Sequence, residues 1–180
     1  MKRKIIFIGG VHGVGKTTLC TKLCDSMNMK HYSASDLIKK ISNIKFSEDK
    51  KVKGIEKNQD TLITAVNNYI DPESFCFLDG HFCLLNEHGK VIEIPIPTFT
   101  ELKPAAIVVL KGNPESIFLR MKNRDGNEMD VEDISIFQEK ELEYSQRISK
   151  LLEIPWFTED PIDGTDRIKS FIKDIVEAVV

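Results

Sequence analysis

The feature that most constrains this chain is a run of eight residues near its amino terminus. Gly10-Val11-His12-Gly13-Val14-Gly15-Lys16-Thr17 fits the pattern GxxxxGK[ST] in full, directly after the apolar run Ile5–Ile8 and directly before an amphipathic stretch. Glycines let successive backbone N–H groups turn inward on an anion, and the start of a helix adds unpaired donors and the positive end of its dipole. The match therefore predicts a phosphate-binding loop between a first strand and a first helix, rather than a glycine-rich turn that binds nothing.

Two side chains at the end of this loop predict the ligand. Lys16 offers an ammonium for the β- and γ-phosphates of a nucleotide, and Thr17 offers a hydroxyl for Mg²⁺. We therefore expect ATP and Mg²⁺ as cofactors. We also expect the Lys16 ammonium to face solvent in the free protein, so that its removal would leave the fold intact.

The pattern of apolar runs predicts an α/β fold. Continuous apolar runs indicate strands covered on both faces, and the segments between them have helical periodicity. Right-handed crossovers, with a phosphate loop after the first strand, predict a five-stranded parallel sheet of order 2-3-1-4-5 in a three-layer α/β/α sandwich. The predicted strands are Ile5–Ile8, His31–Ser33, Phe75–Leu78, Ala106–Leu110 and Ile154–Phe157, and a hairpin is predicted within Phe82–Ile96. The predicted helices are Lys16–Met27, Ser35–Ile41, Ile55–Ile70, Pro114–Asn123, Val131–Leu152 and Thr165–Val179.

Length and composition limit the possible classes of protein. The chain has 180 residues, of which 41% are hydrophobic and 29% charged, and its net charge is -3. These values predict one globular domain with no membrane span and no global attraction to nucleic acid. The basic amino terminus has too short an apolar run for a signal peptide, and the 4 Cys have neither metal-site nor disulfide spacing. We expect a cytoplasmic, monomeric protein whose reduced cysteines have no function.

A second metal-holding residue is predicted at the end of the third strand. A phosphate loop needs a carboxylate there to hold the water shell of the metal, and Asp79 follows the apolar run directly. His81 comes two residues later, on the same side of an extended chain. It either orients the attacking or metal-bound water or packs under the hairpin.

Two arginines follow the fourth strand. Arg120 and Arg124 are four residues apart, hence on one helical face, and the helix then breaks into a polar loop. Planar guanidiniums at the hinge of a closing flap would stabilise a phosphoryl-transfer transition state. The alternative is a solvated basic helix end. If they form a lid, we expect this helix end to be displaced from the phosphate loop until the flap at 125–130 closes.

These residues resemble a known family, the nucleoside monophosphate kinase-like P-loop proteins. Among them, the resemblance is to the short-lid adenylate kinases of archaeal type and their ribosome-assembly relatives. It covers nearly the whole chain and is carried by Gly10–Thr18, HYSASDLI at His31–Ile38, the Asp-x-His of FLDGHF, the hairpin ending in IPIP, and LRMKNRD at Leu119–Asp125. It implies a single kinase-like domain over residues 1–180, with an acceptor-binding region at 30–72 and a short lid at 120–133.

The resemblance also implies roles for individual residues. ATP would lie on the phosphate loop, with its base near Arg120 and the Asp163-Gly164-Thr165 segment, and Arg124 would grip the transferring phosphates. The implied nucleotide-binding residues are Gly10, His12, Gly13, Val14, Gly15, Lys16, Thr17, Thr18, Arg120, Gly164 and Thr165. The implied catalytic residues are Lys16, Arg120, Arg124 and His81, and the implied metal ligands are Thr17 and Asp79. The implied acceptor-binding residues are Ser33, Ser35, Asp36, Lys53 and Gln59.

Two departures from the family pattern bear on the acceptor. His12 stands where many relatives have proline, and the acceptor-phosphate arginine is missing, because no Arg occurs between Met27 and Leu119. Lysines at 50, 51 and 53 could replace it, but a lysine is a point charge and not a bidentate fork. Asn58 and Gln59 either recognise an acceptor base or cap their helix, and we favour the cap.

The expected activity is phosphoryl transfer from Mg-ATP to a nucleoside monophosphate. The same parts would serve a kinase of another small hydroxylated substrate or of a polynucleotide end. A polynucleotide kinase would need an Asp as general base near the second strand, with an Arg three residues later. In this sequence Asp36 is followed at that spacing by Lys39. The alternative class is a nucleotide-dependent switch or assembly factor that hydrolyses ATP slowly.

Overall fold

The computed structural model describes residues 3–42, 55–86, 88–125 and 129–179. Its strands are β1 (Ile5–Gly9), β2 (Lys30–Ser33), β3 (Cys76–Asp79), β4 (Cys83–Leu85), β5 (Val91–Glu93), β6 (Ala106–Leu110) and β7 (Trp156–Glu159). Its helices are α1 (Lys16–Met27), α2 (Ala34–Ser42), α3 (Ile55–Tyr69), α4 (Ile96–Leu102), α5 (Pro114–Asp125), α6 (Val131–Leu152) and α7 (Asp166–Val179), with a 3₁₀ turn at Pro161–Asp163.

Five strands form one parallel sheet in the order β2-β3-β1-β6-β7. In terms of sheet strands this is the predicted order 2-3-1-4-5, and the predicted three-layer α/β/α architecture is confirmed. Every residue of β1, β3 and β6 is buried, as expected for strands covered by helices on both faces. These three strands form the centre of the core.

The position of β1 determines where a ligand can bind. β1 lies between β3 and β6, and its first chain connection leads to one side of the sheet, towards β2 and β3, while later connections lead to the other. Open parallel sheets bind ligands outside the carboxyl ends of the strands at such a switch point. The loop after Gly9 and the end of β3 at Asp79 both lie there.

The predicted hairpin is confirmed, since β4 and β5 pair antiparallel and Asn86 N donates to the Lys90 carbonyl oxygen at 2.9 Å. The short helix α4 was not predicted. It begins at Ile96, between Pro95 and Pro97, in the segment that the sequence assigned to the end of the hairpin. Its buried face, Thr98, Phe99 and Leu102, adds a wall to the cavity described below.

The last sheet strand begins two residues later than predicted. Ile154 closes the end of α6, where Glu153 takes a left-handed conformation and Ile154 N donates to Ser149 O at 3.1 Å. The Pro155 carbonyl oxygen accepts from Ile107 N at 2.9 Å, and the paired residues of the strand begin at Trp156.

No helix in the described ranges combines the length and the apolar character needed to cross a bilayer.

Candidate active site

The predicted phosphate loop forms the turn between β1 and α1. Gly10 has φ +138°, and a Cβ on it would lie 2.7 Å from the Leu110 carbonyl oxygen. Gly13 has φ +77°, and a Cβ there would lie 2.7 Å from Met121 Cγ. Both positions therefore need glycine, for conformation and for space. The loop is closely packed against β6 and α5.

The prediction that the Lys16 ammonium faces solvent is wrong. It is only 9% exposed, and its ammonium donates hydrogen bonds to the carbonyl oxygens of Gly10 at 2.6 Å and Val11 at 3.0 Å. Because both acceptors are backbone carbonyl oxygens of the loop, the Lys16 side chain folds back over the loop. The ammonium is thereby held over the place where the loop would hold phosphates, and it also ties the loop together.

Thr17 and Asp79 face the same cavity, as a shared magnesium site requires. Asp79 ends β3 and is 7% exposed, and its Oδ2 accepts a hydrogen bond from His31 Nε2 at 2.5 Å. A hydroxyl and a carboxylate are the hard oxygen donors that Mg²⁺ prefers, so these residues fit the ion. His31, on the neighbouring β2, holds the carboxylate in place.

Cys20 lies beside this pair, with its sulfur within 4.8 Å of the nearest ligand atoms of His31 and Asp79. Burial chiefly, with the nearby Asp79 charge second, raises the pKa of the Cys20 thiol far above its ordinary value. A neutral buried thiol packs as a small hydrophobe. The four cysteines are all free thiols.

His81 lies between the phosphate loop and a buried carboxylate. Its ring stacks at a tilt on the ring of His12, with centroids 4.2 Å apart. Its Nδ1 lies 3.4 Å from Oε1 of Glu141, a residue of α6 that is 1% exposed. Desolvation by burial raises the pKa of Glu141 to about 7, while Lys16 and backbone N–H groups act in the opposite direction.

The end of α5 is not displaced from the phosphate loop, contrary to expectation. Arg120 Nη1 lies 3.4 Å from the Val14 carbonyl oxygen, and Met121 packs on Gly13. A Cβ on Gly15 would lie 3.9 Å from Arg120 Nη1 and 3.6 Å from Pro161 Cγ. Arg120 and the turn that precedes Gly164 and Thr165 therefore flank the loop from one side. The Arg124 side chain and most of the predicted flap are outside the described residues.

One cavity of about 660 Å³ joins the phosphate loop to the region predicted for the acceptor. The predicted site residues that line it are His12, Gly13, Gly15, Lys16, Thr17, Thr18, Ser33, Ser35, Gln59, Asp79, His81 and Arg120. Gly10, Val14, Asp36, Gly164 and Thr165 do not line it. Asp36 instead accepts a bond from Lys39 at the surface, at 3.3 Å. Lys53 is outside the described residues.

The far wall of the cavity is apolar with a few amide and hydroxyl groups. Its apolar members are Phe7, Ile38, Leu62, Leu84, Ile94, Phe99 and Leu102. Asn58, Gln59 and Thr98 supply the polar groups, and each is at most 7% exposed. Because α3 includes Ile55, Asn58 and Gln59 are at least its fourth and fifth residues and do not precede it, so the favoured helix-capping role is wrong. Gln59 Oε1 is buried and has no hydrogen-bond partner among the residues that the structure describes.

Three parts of this site were missed at the level of sequence. Helix α4 has only 7 residues and begins in the segment assigned to the hairpin, and His31 carries no local signal because its partner is 48 residues away. Glu141 did leave a signal. It shares one face of α6 with Phe137, Tyr144 and Ile148, all buried, so a charged residue interrupts an apolar stripe.

The fold and this site together define a P-loop kinase, an enzyme that uses ATP and Mg²⁺. The chain matches the family described as AAA domain over residues 9–138, and it belongs to that family. It is 26% identical over 168 residues to an adenylate kinase of Synechococcus sp. (strain CC9902), covering 86% of this chain and 91% of the relative. It is 23% identical to an adenylate kinase isoenzyme 6 homolog of Schizosaccharomyces pombe, covering 76% of this chain and 74% of the relative.

A solved structure shares the fold. The shikimate kinase of Aquifex aeolicus vf5 superposes with a TM-score of 0.60 at 15% sequence identity, and the superposition covers 96% of each chain.

Proposed function

We propose that this enzyme transfers the γ-phosphoryl group of Mg-ATP to a nucleoside monophosphate. The observation that carries the proposal is the continuous cavity, which runs from the phosphate loop to Gln59 Oε1, a buried amide oxygen with no hydrogen-bond partner in the described part of the chain. A kinase must hold two substrates end to end, and this cavity offers a phosphate-binding end and an apolar end with polar groups.

On the donor side, the proposed roles are electrostatic. Lys16 neutralises the β- and γ-phosphates, and Arg120 and Arg124 stabilise charge that spreads over the transferring group. Thr17 and Asp79 would hold Mg²⁺, which when bound neutralises the charge of the phosphate chain. His31 fixes the Asp79 carboxylate. No covalent intermediate with the enzyme is needed.

On the acceptor side, Gln59 supports a nucleotide base. A buried carbonyl oxygen without a donor costs about 1–3 kcal/mol, and an exocyclic amino group of a base would supply that donor. Ile38, Leu62 and Phe99 offer apolar contacts to a flat ring. The two curated relatives are named adenylate kinases, which agrees with a monophosphate acceptor.

A second candidate is an ATP-hydrolysing switch or a kinase of a neutral hydroxylated molecule. The observation that favours it is the small number of cationic side chains at the acceptor end of the cavity. Among the described residues that line the cavity, the cations are Lys16 and Arg120 at the phosphate loop and Lys39, which pairs with Asp36. A dianionic acceptor phosphate would be better held by a guanidinium.

A coupled assay for ADP formation, with and without each nucleoside monophosphate, separates these functions. The proposal predicts turnover that depends on a monophosphate, with the corresponding diphosphate as second product. Turnover that is independent of any acceptor, with inorganic phosphate as product, would show the switch instead. Turnover that is stimulated by a neutral alcohol and by no monophosphate would show the kinase of a hydroxylated molecule.

Gln59→Leu tests the acceptor site, because leucine keeps the volume and removes the amide. We expect the KM for the acceptor to rise by about 10-fold, in line with about 1.4 kcal/mol for one hydrogen bond, while the KM for ATP stays unchanged. Asp60→Asn, at the exposed neighbouring position of α3, is the matched control.

The proposal also includes one kinase-like domain over residues 1–180 with an acceptor region at 30–72 and a lid at 120–133. We also predict that the chain is monomeric and that it acts on small nucleotides in the cytoplasm. Size-exclusion chromatography with light scattering measures the oligomeric state.

A further inference from the structure

Glu141 is the most deeply buried carboxylate among the described residues, and its position is close to the reacting groups. Its Oε1 and Oε2 accept hydrogen bonds from Phe82 N at 3.1 and 3.0 Å, and Oε1 accepts a further bond from Cys83 N at 3.2 Å. A Cβ on Gly9 would lie 3.7 Å from Oε2. One carboxylate therefore joins α6 to the segment after Asp79 and to the end of β1.

The same carboxylate lies beside His81. Nδ1 of His81 lies 3.4 Å from Glu141 Oε1, at ion-pair distance without hydrogen-bond geometry, and the negative charge so close to Nδ1 favours a proton there and leaves Nε2 as the acceptor nitrogen. The ring is held from its other side by His12 of the phosphate loop, at 4.2 Å between centroids. The imidazole is thus fixed between α6 and the phosphate loop, on the wall of the cavity.

A purely structural role would not require a charge here. Burying a carboxylate costs several kcal/mol, and an apolar residue of similar size would pack the core between α6 and β4 at lower cost. The neighbouring buried residues on this face of α6 carry no charge: Phe137 and Ile148 are apolar, and Tyr144 donates its hydroxyl to the Ile94 carbonyl oxygen. The exception lies where the helix passes the phosphate loop.

We infer that Glu141 is a positioning residue for phosphoryl transfer, which holds His81 in one tautomer and fixes the segment after Asp79 against the phosphate loop. Glu141 acts through His81 and through the backbone of Phe82 and Cys83 and does not itself line the cavity. The inference rests on the proposed kinase function for its kinetic consequence only, since the tautomer and the local geometry are independent of the substrate.

The test compares Glu141→Gln with wild type. The amide has nearly the shape of the carboxylate, but its NH₂ group is a donor and cannot accept the hydrogen bonds that the second carboxylate oxygen accepts. We therefore expect the arrangement of His81 and Phe82 to be lost. We expect kcat to fall by at least about 10-fold, a loss of about 1.4 kcal/mol in transition-state stabilisation, while the KM for ATP changes by less than about threefold. Gln138→Ala is the matched control, because Gln138 is buried one turn earlier on α6 and exchanges hydrogen bonds with the Gly112 backbone, at 2.8 and 2.9 Å.

The second readout is independent of activity. The ¹⁵N chemical shifts of the His81 ring at a fixed pH of about 8 report which nitrogen carries the proton. We expect Nδ1–H to dominate in wild type and in Gln138→Ala, and a mixed population in Glu141→Gln. A folded Glu141→Gln variant with unchanged ring shifts and a kcat within about twofold of wild type would overturn the inference. So would equal losses of kcat in Glu141→Gln and Gln138→Ala. If wild type transfers to no monophosphate, the proposed function fails while the ring shifts still decide this inference.

Discussion

At the scale of single residues, the site combines groups whose charge is held by backbone atoms. The ammonium of Lys16 rests on two loop carbonyls, and the carboxylate of Glu141 rests on backbone N–H groups. Backbone dipoles are fixed by the fold, so they place these charges without a cost of reorganisation at the moment of reaction. In the proposed mechanism, Lys16 and Glu141 would therefore serve both the local structure and the chemistry.

Lys16→Ala tests this double role. We expect turnover to be abolished, because the phosphates lose their ammonium, and we expect stability to fall by about 1.5–3 kcal/mol, because charged hydrogen bonds to Gly10 and Val11 are lost. Denaturant unfolding monitored by fluorescence measures the second effect. Lys22→Ala, at an exposed position on α1, is the control. A Lys16→Ala variant as stable as the control would contradict the structural half of the prediction.

Glu141 predicts a dependence of stability on pH. Its pKa is about 7 in the folded chain and 4.5 as a free group, so the folded state binds the proton more tightly. The free energy of unfolding should therefore fall as pH rises from about 4.5 to about 7, by up to about 3 kcal/mol, and then level off. The charged and titratable groups around it are Lys16 on α1, His81 after β3 and Cys83 on β4.

The measurement is urea unfolding at pH 5, 6, 7 and 8 for wild type and Glu141→Gln. The difference between their free energies of unfolding should shrink or change sign across this range, because the amide does not titrate. A difference that is constant with pH would show that Glu141 does not titrate between these values.

At the scale of elements, a strand or helix is predictable when its pattern lies within its own segment of sequence, and its position is not predictable when it depends on distant residues. β1, β3 and β6 are continuous apolar runs, and their burial on both faces makes that pattern sufficient. The position of α5 depends on contacts such as Met121 with Gly13, which join residues over 100 positions apart. Those contacts leave no trace in periodicity, so the docking of Arg120 on the loop was not foreseen.

Arg124→Lys tests the lid at this scale. Lysine keeps the charge at the helix end and removes the planar fork. We expect kcat to fall far more than the KM for ATP rises, since a catalytic arginine can contribute about 10³-fold in rate. Lys122→Ala, at an exposed position of the same helix, is the control. If phosphoryl transfer by Arg124→Lys stays within about twofold of wild type, the arginine has no catalytic role.

At the scale of the whole molecule, the strand order creates the site. Because β1 lies between β3 and β6, the phosphate loop and Asp79 meet at one edge of the sheet. This much follows from a phosphate loop after the first strand and right-handed crossovers, and it was predictable from the sequence. The acceptor wall was only partly predictable, since Thr98 and Phe99 come from α4 and reach the cavity through tertiary packing.

The central claim is that one cavity holds both substrates, and a complex with a bisubstrate dinucleotide tests it most directly. We predict one molecule bound per chain, with its polyphosphate on Lys16 and Thr17 and its second base within hydrogen-bond distance of Gln59 Oε1. Its affinity should exceed that of an ATP analogue by at least about 10-fold. A complex in which the second nucleotide lies outside the cavity, with an affinity no better than that of the ATP analogue, would contradict the account.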